Sequence, residues 1–121
     1  MESFEELDCW KRARAFRQMI SESVKKWPNE ERFELVKQIK RSSRSVTANI
    51  AEGFGRHHHQ ENIQFCRQAR GSLTESLDHL ITALDEEFID ESQMSTFREE
   101  YGHCLRLLNG YIAYLRSRGA R

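Results

Sequence analysis

Proline and glycine are scarce in this chain of 121 residues, with one Pro and six Gly. Strand-rich folds need frequent tight turns, so that scarcity argues against them and for long helices. Nor does any apolar run approach the length needed to span a bilayer. The N-terminus, "MESFEELDCWKR", begins acidic and lacks the basic-then-apolar pattern of a signal peptide, so the expected location is the cytoplasm. Cys9, Cys66 and Cys104 are odd in number and lack CxxC spacing, which argues against a disulfide framework and a zinc ribbon; they read as reduced thiols. Net charge is also missing. Nineteen basic and nineteen acidic residues cancel, so bulk charge demands no polyanionic partner.

What is present is helical periodicity. With 38% apolar and 31% charged residues, the chain can bury one core but not two, giving a single domain over 1–121. Trp10, Ala13, Phe16, Ile20, Val24 and Trp27 form one apolar stripe, predicting a helix over about 7–26. Pro28 stops it, and Asn29 is placed to cap a second helix over about 30–53, whose first turn carries Glu30, Glu31 and Glu34. That helix carries Leu35, Ile39, Ser42, Val46, Asn49 and Gly53 in a four-three alternation, with Val36, Ser43 and Ile50 beside it. A third helix over about 60–87 shows Ile63, Cys66, Leu73, Leu77, Leu80 and Leu84. A fourth over about 93–117 shows Phe97, Tyr101, Cys104, Leu108, Tyr111 and Leu115. The expected fold is all-α, an antiparallel up-down-up-down four-helix bundle.

Between the second and third helices lies "NIAEGFGRHHHQEN". Gly53 falls where a helix C-terminus favours a left-handed residue, with Gly55 in the following loop. The dinucleotide fingerprint needs a preceding strand and a third glycine, both absent. His57, His58 and His59 are consecutive and point about 100° apart on a helix, so they do not converge on a metal by themselves. A di-iron bundle needs two inward Glu-x-x-His pairs. The chain has one such spacing, Glu100 and His103, outside the fourth helix's seam and expected to face solvent. No nucleophile elbow is present. The sequence therefore predicts no enzyme, no cofactor and no metal.

The charges cancel in sum but not in place. At the bundle end holding the first and third loops, Lys25 and Lys26 stand against Glu30, Glu31, Glu34, Asp85, Glu86, Glu87, Asp90 and Glu91. A basic belt crosses the middle: Lys11, Arg12, Arg14 and Arg17, then Lys37, Lys40, Arg41 and Arg44, then Arg67 and Arg70. Lys37, Lys40, Arg41 and Arg44 stand at i, i+3, i+4 and i+7, on one face spanning roughly 10 Å of helix. Such a stripe is a candidate for tracking phosphates; equally, it can form salt bridges with neighbouring glutamates. No aromatic residue interrupts it, so base stacking is not offered.

"QIKRSSRSVTANIAEGFGR" followed by "ARGSLTES" resembles the four-helix-bundle family of 23S rRNA intervening-sequence proteins, related to the accessory variability determinant proteins of diversity-generating retroelements. The resemblance runs from "FEELDCWKRA" through "WPNEE" into the fourth helix. It is most specific at Gln38, Arg41, Ser45, Asn49, Ile50, Ala51, Glu52 and Gly53, then Gly71, Ser72 and Glu75. It implies a ring-like homopentamer without catalytic activity, associated with rRNA intervening sequences or, in the retroelement branch, with a reverse transcriptase and nucleic acid. Asn49 on the seam is a polar residue able to fix helix register. Asn49 and Glu52 are expected to meet Ser72 or a tight backbone at Gly71, with Gly53 ending the helix. Two functions follow as expectations: a self-assembling scaffold that engages RNA or a nucleic-acid-handling protein through the basic belt, or an adaptor that binds protein through the acidic end.

Overall fold

The computed structural model describes residues 2–119, which form four α-helices: α1 (Asp8–Ser23), α2 (Leu35–Gly55), α3 (His59–Asp85) and α4 (Glu91–Gly119). Each helix packs on its sequence neighbours and α4 closes back on α1, giving the antiparallel four-helix bundle. Among the described residues there is no strand, and no helix is long and apolar enough to cross a membrane. The core is one cluster. Phe16 and Ile20 of α1, Ile39, Val46 and Ile50 of α2, Leu73 and Leu80 of α3, and Leu108 and Ile112 of α4 are all fully buried. Each such side chain contributes about 1.5–3 kcal/mol of transfer free energy.

The seams follow the predicted stripes with local shifts. On α1, Cys9 is buried and Trp10 sits at the margin, where its ring meets Phe4 edge-on at 5.1 Å. On α4, Ile112 takes the core position expected of Tyr111, and Met94 extends the seam toward the helix start. Glu100 does not face solvent. It turns toward α1, where one carboxylate oxygen accepts from Arg12 Nη1 at 3.1 Å and the other is buried without a protein partner.

The loops differ more from expectation. Asn29 does not cap α2: residues Asn29–Phe33 form a 3-10 turn, Glu34 leaves helical geometry (φ −113°, ψ −108°), and α2 starts at Leu35. None of the turn residues is buried, so no packing holds that segment to α geometry. Gly53 does not end α2 either. The helix runs on to Gly55, and His57 supplies the left-handed residue (φ 55°). At the other end, α3 closes through a Schellman motif with Phe88 N–H donating to Ala83 O (2.8 Å) and Glu87 N–H to Leu84 O (3.0 Å). Glu87 occupies its left-handed position at φ 65°. A capping box starts α4, in which Gln93 N–H donates to Asp90 Oδ1 (2.8 Å) and Asp90 N–H to Gln93 Oε1 (2.9 Å).

α2 and α3 approach closely through small and polar residues. Ser42 and Ser76, both fully buried, share a hydrogen bond of 2.8 Å, and Ser76 Oγ donates to Ser72 O. Further along, Ser72 Oγ donates to Ser45 Oγ (2.9 Å), and Asn49 Nδ2 donates to the same oxygen (2.9 Å) and to Ser45 O (2.8 Å). Asn49 thus reaches Ser72 through Ser45. Glu52 does not join this ladder; it pairs one turn on with Arg56 on the surface (2.9 Å). Gly71 is exposed with open space around it, not a tight contact. The close approach falls at Gly53, where a Cβ would lie 2.7 Å from Asn62 Oδ1 and 2.9 Å from Phe65 Cβ.

All three cysteines are free and buried, on α1, α3 and α4. Burial pushes each thiol from its ordinary 9.0 up to about 12, and at Cys9 the neighbouring Cys66 and Cys104 push in the same direction. Unfolding releases these thiols to ordinary acidity. Between pH 9.0 and about 12 the unfolded chain therefore holds fewer protons than the folded one, and stability falls as pH rises. Three thiols give a maximal slope of about 4 kcal/mol per pH unit. Urea unfolding across that range should show the fall, and Cys66→Ala should lower its slope by about a third.

Candidate nucleic-acid interface

Successive residues on α2 diverge by about 100°, and this divides the basic stripe. Arg41 leans toward α3, where its guanidinium pairs with Glu75 and also donates to Gln38 Oε1 at 3.3 Å. The same Glu75 carboxylate meets His79 Nε2 at 3.1 Å. This half-exposed pair is worth about 0–1 kcal/mol, but it neutralises Arg41. Lys40 and Arg44 lean the other way, toward α1. There they line a cleft of about 410 Å³ with Arg17, Gln18, Ser21 and Ser43. Lys37 is exposed on α2 outside the cleft.

Arg17 comes from α1 and is braced across the helix pair, with Nη1 donating to Thr47 Oγ1 at 2.8 Å. Its bond leaves other guanidinium N–H groups unused. Among the described residues, Arg17, Lys40 and Arg44 have no carboxylate in ion-pairing range, and no acidic residue lines the cleft. Arg12, on the same helix as Arg17, is already paired with Glu100. The cleft therefore gathers three unneutralised cations from two helices, with the Ser21 hydroxyl and the Gln18 amide beside them; the buried Ser43 hydroxyl is already donated to Lys40 O at 3.3 Å. It offers no nucleophile–base pair and no aromatic platform. Its chemistry is that of an anion site suited to phosphate.

In the sequence Arg17 belongs to the basic belt and does not stand out from it. The available signal was the antiparallel turn: Arg17 stands about as far before Pro28 as Lys40 stands after it. Of the motif residues, Asn49 and Ser72 are brought together through Ser45, Glu75 is brought to Arg41, and Gly53 is brought against α3. Glu52 and Gly71 stay on the surface. His57 and His58 form the turn and His59 begins α3. No three His, Cys, Asp or Glu side chains converge as a metal site among the described residues.

Fold and cleft together define a small four-helix bundle with a cationic face between its first two helices. The chain belongs to the 23S rRNA-intervening sequence protein family, whose sequence model matches residues 5–110. A crystal structure of a protein of unknown function from the S23 ribosomal protein family of Bacteroides thetaiotaomicron VPI-5482 is similar to it, with a TM-score of 0.78 and 25% sequence identity. The similarity covers 86% of this chain and 97% of that one. No functionally curated protein matches the chain.

Proposed function

We propose that this protein is a non-enzymatic, cytoplasmic, self-assembling scaffold, a homopentamer by family resemblance, that holds RNA by its phosphates in the α1–α2 cleft. The observation that carries this reading is the convergence of Arg17, Lys40 and Arg44 without carboxylate partners. Leaving three cations unpaired in one cleft is a cost that a bound polyanion offsets. The family's name, which refers to a 23S rRNA intervening sequence, supports RNA as that polyanion. Three phosphate contacts per protomer are weak and strongly salt-dependent, and repetition around a ring would raise them through avidity. Without an aromatic in the cleft, recognition is of backbone and shape, not base identity.

One feature favours a second reading, a protein-binding adaptor. Phe33 is 72% exposed at the acidic end, beside Glu30, Glu31 and Glu34, with the Arg32 guanidinium 4.7 Å from its ring centre. Charge reversal separates the two. Lys40→Glu/Arg44→Glu should abolish binding to a structured RNA in fluorescence anisotropy, whereas Glu86→Lys/Glu87→Lys should leave it intact or strengthen it. RNA binding that survives the first variant would move function away from the cleft, and loss of a protein partner with the second would favour the adaptor.

A further inference from the structure

A second cavity, of about 780 Å³, opens at the opposite end of the molecule from the acidic loops, between the start of α1, the α2–α3 turn and the last turns of α4. It is independent of the α1–α2 cleft and shares no residue with it. Its volume is within the range of pockets that enclose a drug-sized molecule, and far exceeds what one phosphate needs. Three properties of its lining restrict what fits.

The first is aromatic. Tyr111 and Tyr114 lie nearly parallel, 14° between planes with ring centres 6.4 Å apart, and Tyr114 is 54% exposed; the exposed Arg118 guanidinium lies over its ring, 5.9 Å from the centre, and is the group that a stacking ring displaces. The second is a fixed wall. Asn62 is 6% exposed and donates from Nδ2 to the Tyr111 hydroxyl at 3.0 Å, which holds that ring in place at the cavity wall. The third is charge separation. Arg106, one of whose guanidinium nitrogens is engaged by His103 Nδ1 at 2.7 Å, and the imidazoles of the histidine turn supply N–H donors on the α4 and turn sides, while Glu6 and Asp8 supply acceptors on the α1 side. A ligand matched to all three carries a planar aromatic ring, an anionic group at one end and hydroxyl or amino donors at the other.

We infer that this cavity binds a nucleoside monophosphate, free or as the exposed end of an RNA strand, with the base stacked on Tyr114, the phosphate toward Arg106 and the sugar or amino donors toward Asp8. The pairing of a ring with an anion distinguishes this class from inorganic phosphate, which the aromatic wall cannot use. The acceptors on α1 distinguish it from a simple aryl acid.

The test is NMR titration of the full-length protein, isotope-labelled, with adenosine 5′-monophosphate, adenosine and inorganic phosphate as probes. The monophosphate should shift amides of the histidine turn and of residues 106–115, about tenfold more tightly than adenosine, and phosphate should leave them still. Arg106→Ala should reduce the monophosphate to the affinity of adenosine without changing adenosine itself. Tyr114→Ala should weaken both. Lys40→Glu/Arg44→Glu should change neither, which keeps this site separable from the RNA cleft. A 5′-phosphorylated trinucleotide binding more tightly than the monophosphate would identify an RNA end as the source, and equal or weaker binding a free nucleotide. Shifts confined to Arg17, Lys40 and Arg44, no shifts with any probe, or an Arg106→Ala variant that keeps the preference for the monophosphate would overturn the inference.

Discussion

Replacing Gly53 by alanine should destabilise the bundle, while the same replacement at Gly71 should stabilise it. Both glycines lie inside helices, where alanine is intrinsically better by about 0.5–1 kcal/mol. Their surroundings decide the sign. At Gly71 an added Cβ meets nothing within 4 Å, so the propensity gain should appear almost undiminished, as a rise in Tm of about 2–4 °C. At Gly53 the Cβ would stand 2.7 Å from Asn62 Oδ1, 2.9 Å from Phe65 Cβ and 3.1 Å from Asn62 O. Asn62 cannot swing aside freely, because its amide is tied to the Tyr111 hydroxyl and Cys66 Sγ lies against its oxygen at 3.5 Å. Backbone carbonyl and Cβ yield only by moving α3 away from α2. Overpacking of this kind costs about 1–3 kcal/mol and outweighs the propensity gain, so a net loss of about 1 kcal/mol is expected, a fall in Tm of roughly 4 °C. Thermal unfolding of the two variants beside the parent checks both signs. Equal stabilisation by both would mean that α2 and α3 do not approach as closely as the geometry here requires.

The second large effect concerns Arg17, Lys40 and Arg44. Replacing all three by glutamine removes the cleft's charge without leaving an orphaned carboxylate behind, since none is paired among the described residues. The Arg17 bond to Thr47 is lost, at a cost of about 1 kcal/mol, so the variant should remain folded. Affinity for RNA at low salt should fall on the order of 100-fold, because each phosphate contact contributes its own counterion release. The matched variant Arg41→Gln is the informative control. Arg41 belongs to the same sequence stripe but is already neutralised by Glu75, so its removal should change affinity by less than about threefold. A comparable loss from Arg41 alone would show that the whole α2 face, not the cleft, carries the contact.

The bundle was legible because its core follows helical period. Phe16 and Ile20, Ile39 and Val46, Leu73 and Leu80, and Leu108 and Leu115 stand where the stripes placed them. Helix ends were less legible because they depend on backbone choices that side-chain type only biases. Glycine is the usual left-handed residue, yet here His57 and Glu87 take that conformation, and Gly53 serves a close helix contact instead. The resemblance to the family marked Asn49, Glu52, Gly53, Gly71, Ser72 and Glu75 as a group; Asn49, Gly53 and Ser72 do connect α2 to α3 across the serine ladder and the close approach, whereas Glu52 and Gly71 stay on the surface. Glu75 joins the same helices through Arg41, which is why the stripe loses one of its four charges. That loss could not be read from spacing, since i, i+3, i+4 and i+7 share a face without sharing a neighbour. The polar ladder also explains why the α2 seam tolerates Ser42 in a buried position: Ser76 and the Ile39 carbonyl satisfy its hydroxyl. The histidine turn was legible as a turn, and its place on the wall of a cavity was not, because the other walls come from residues fifty positions away on either side.

The central claim is that phosphates sit between α1 and α2, and its most direct test is the salt dependence of RNA affinity for the parent and the Arg17→Gln/Lys40→Gln/Arg44→Gln variant, measured by anisotropy from low to physiological salt. The account predicts that the logarithmic slope becomes shallower by about 2–3 for each protomer engaged, the number of counterions three contacts release. Parallel lines for the two proteins, or a parent that binds no RNA at low salt, would contradict it.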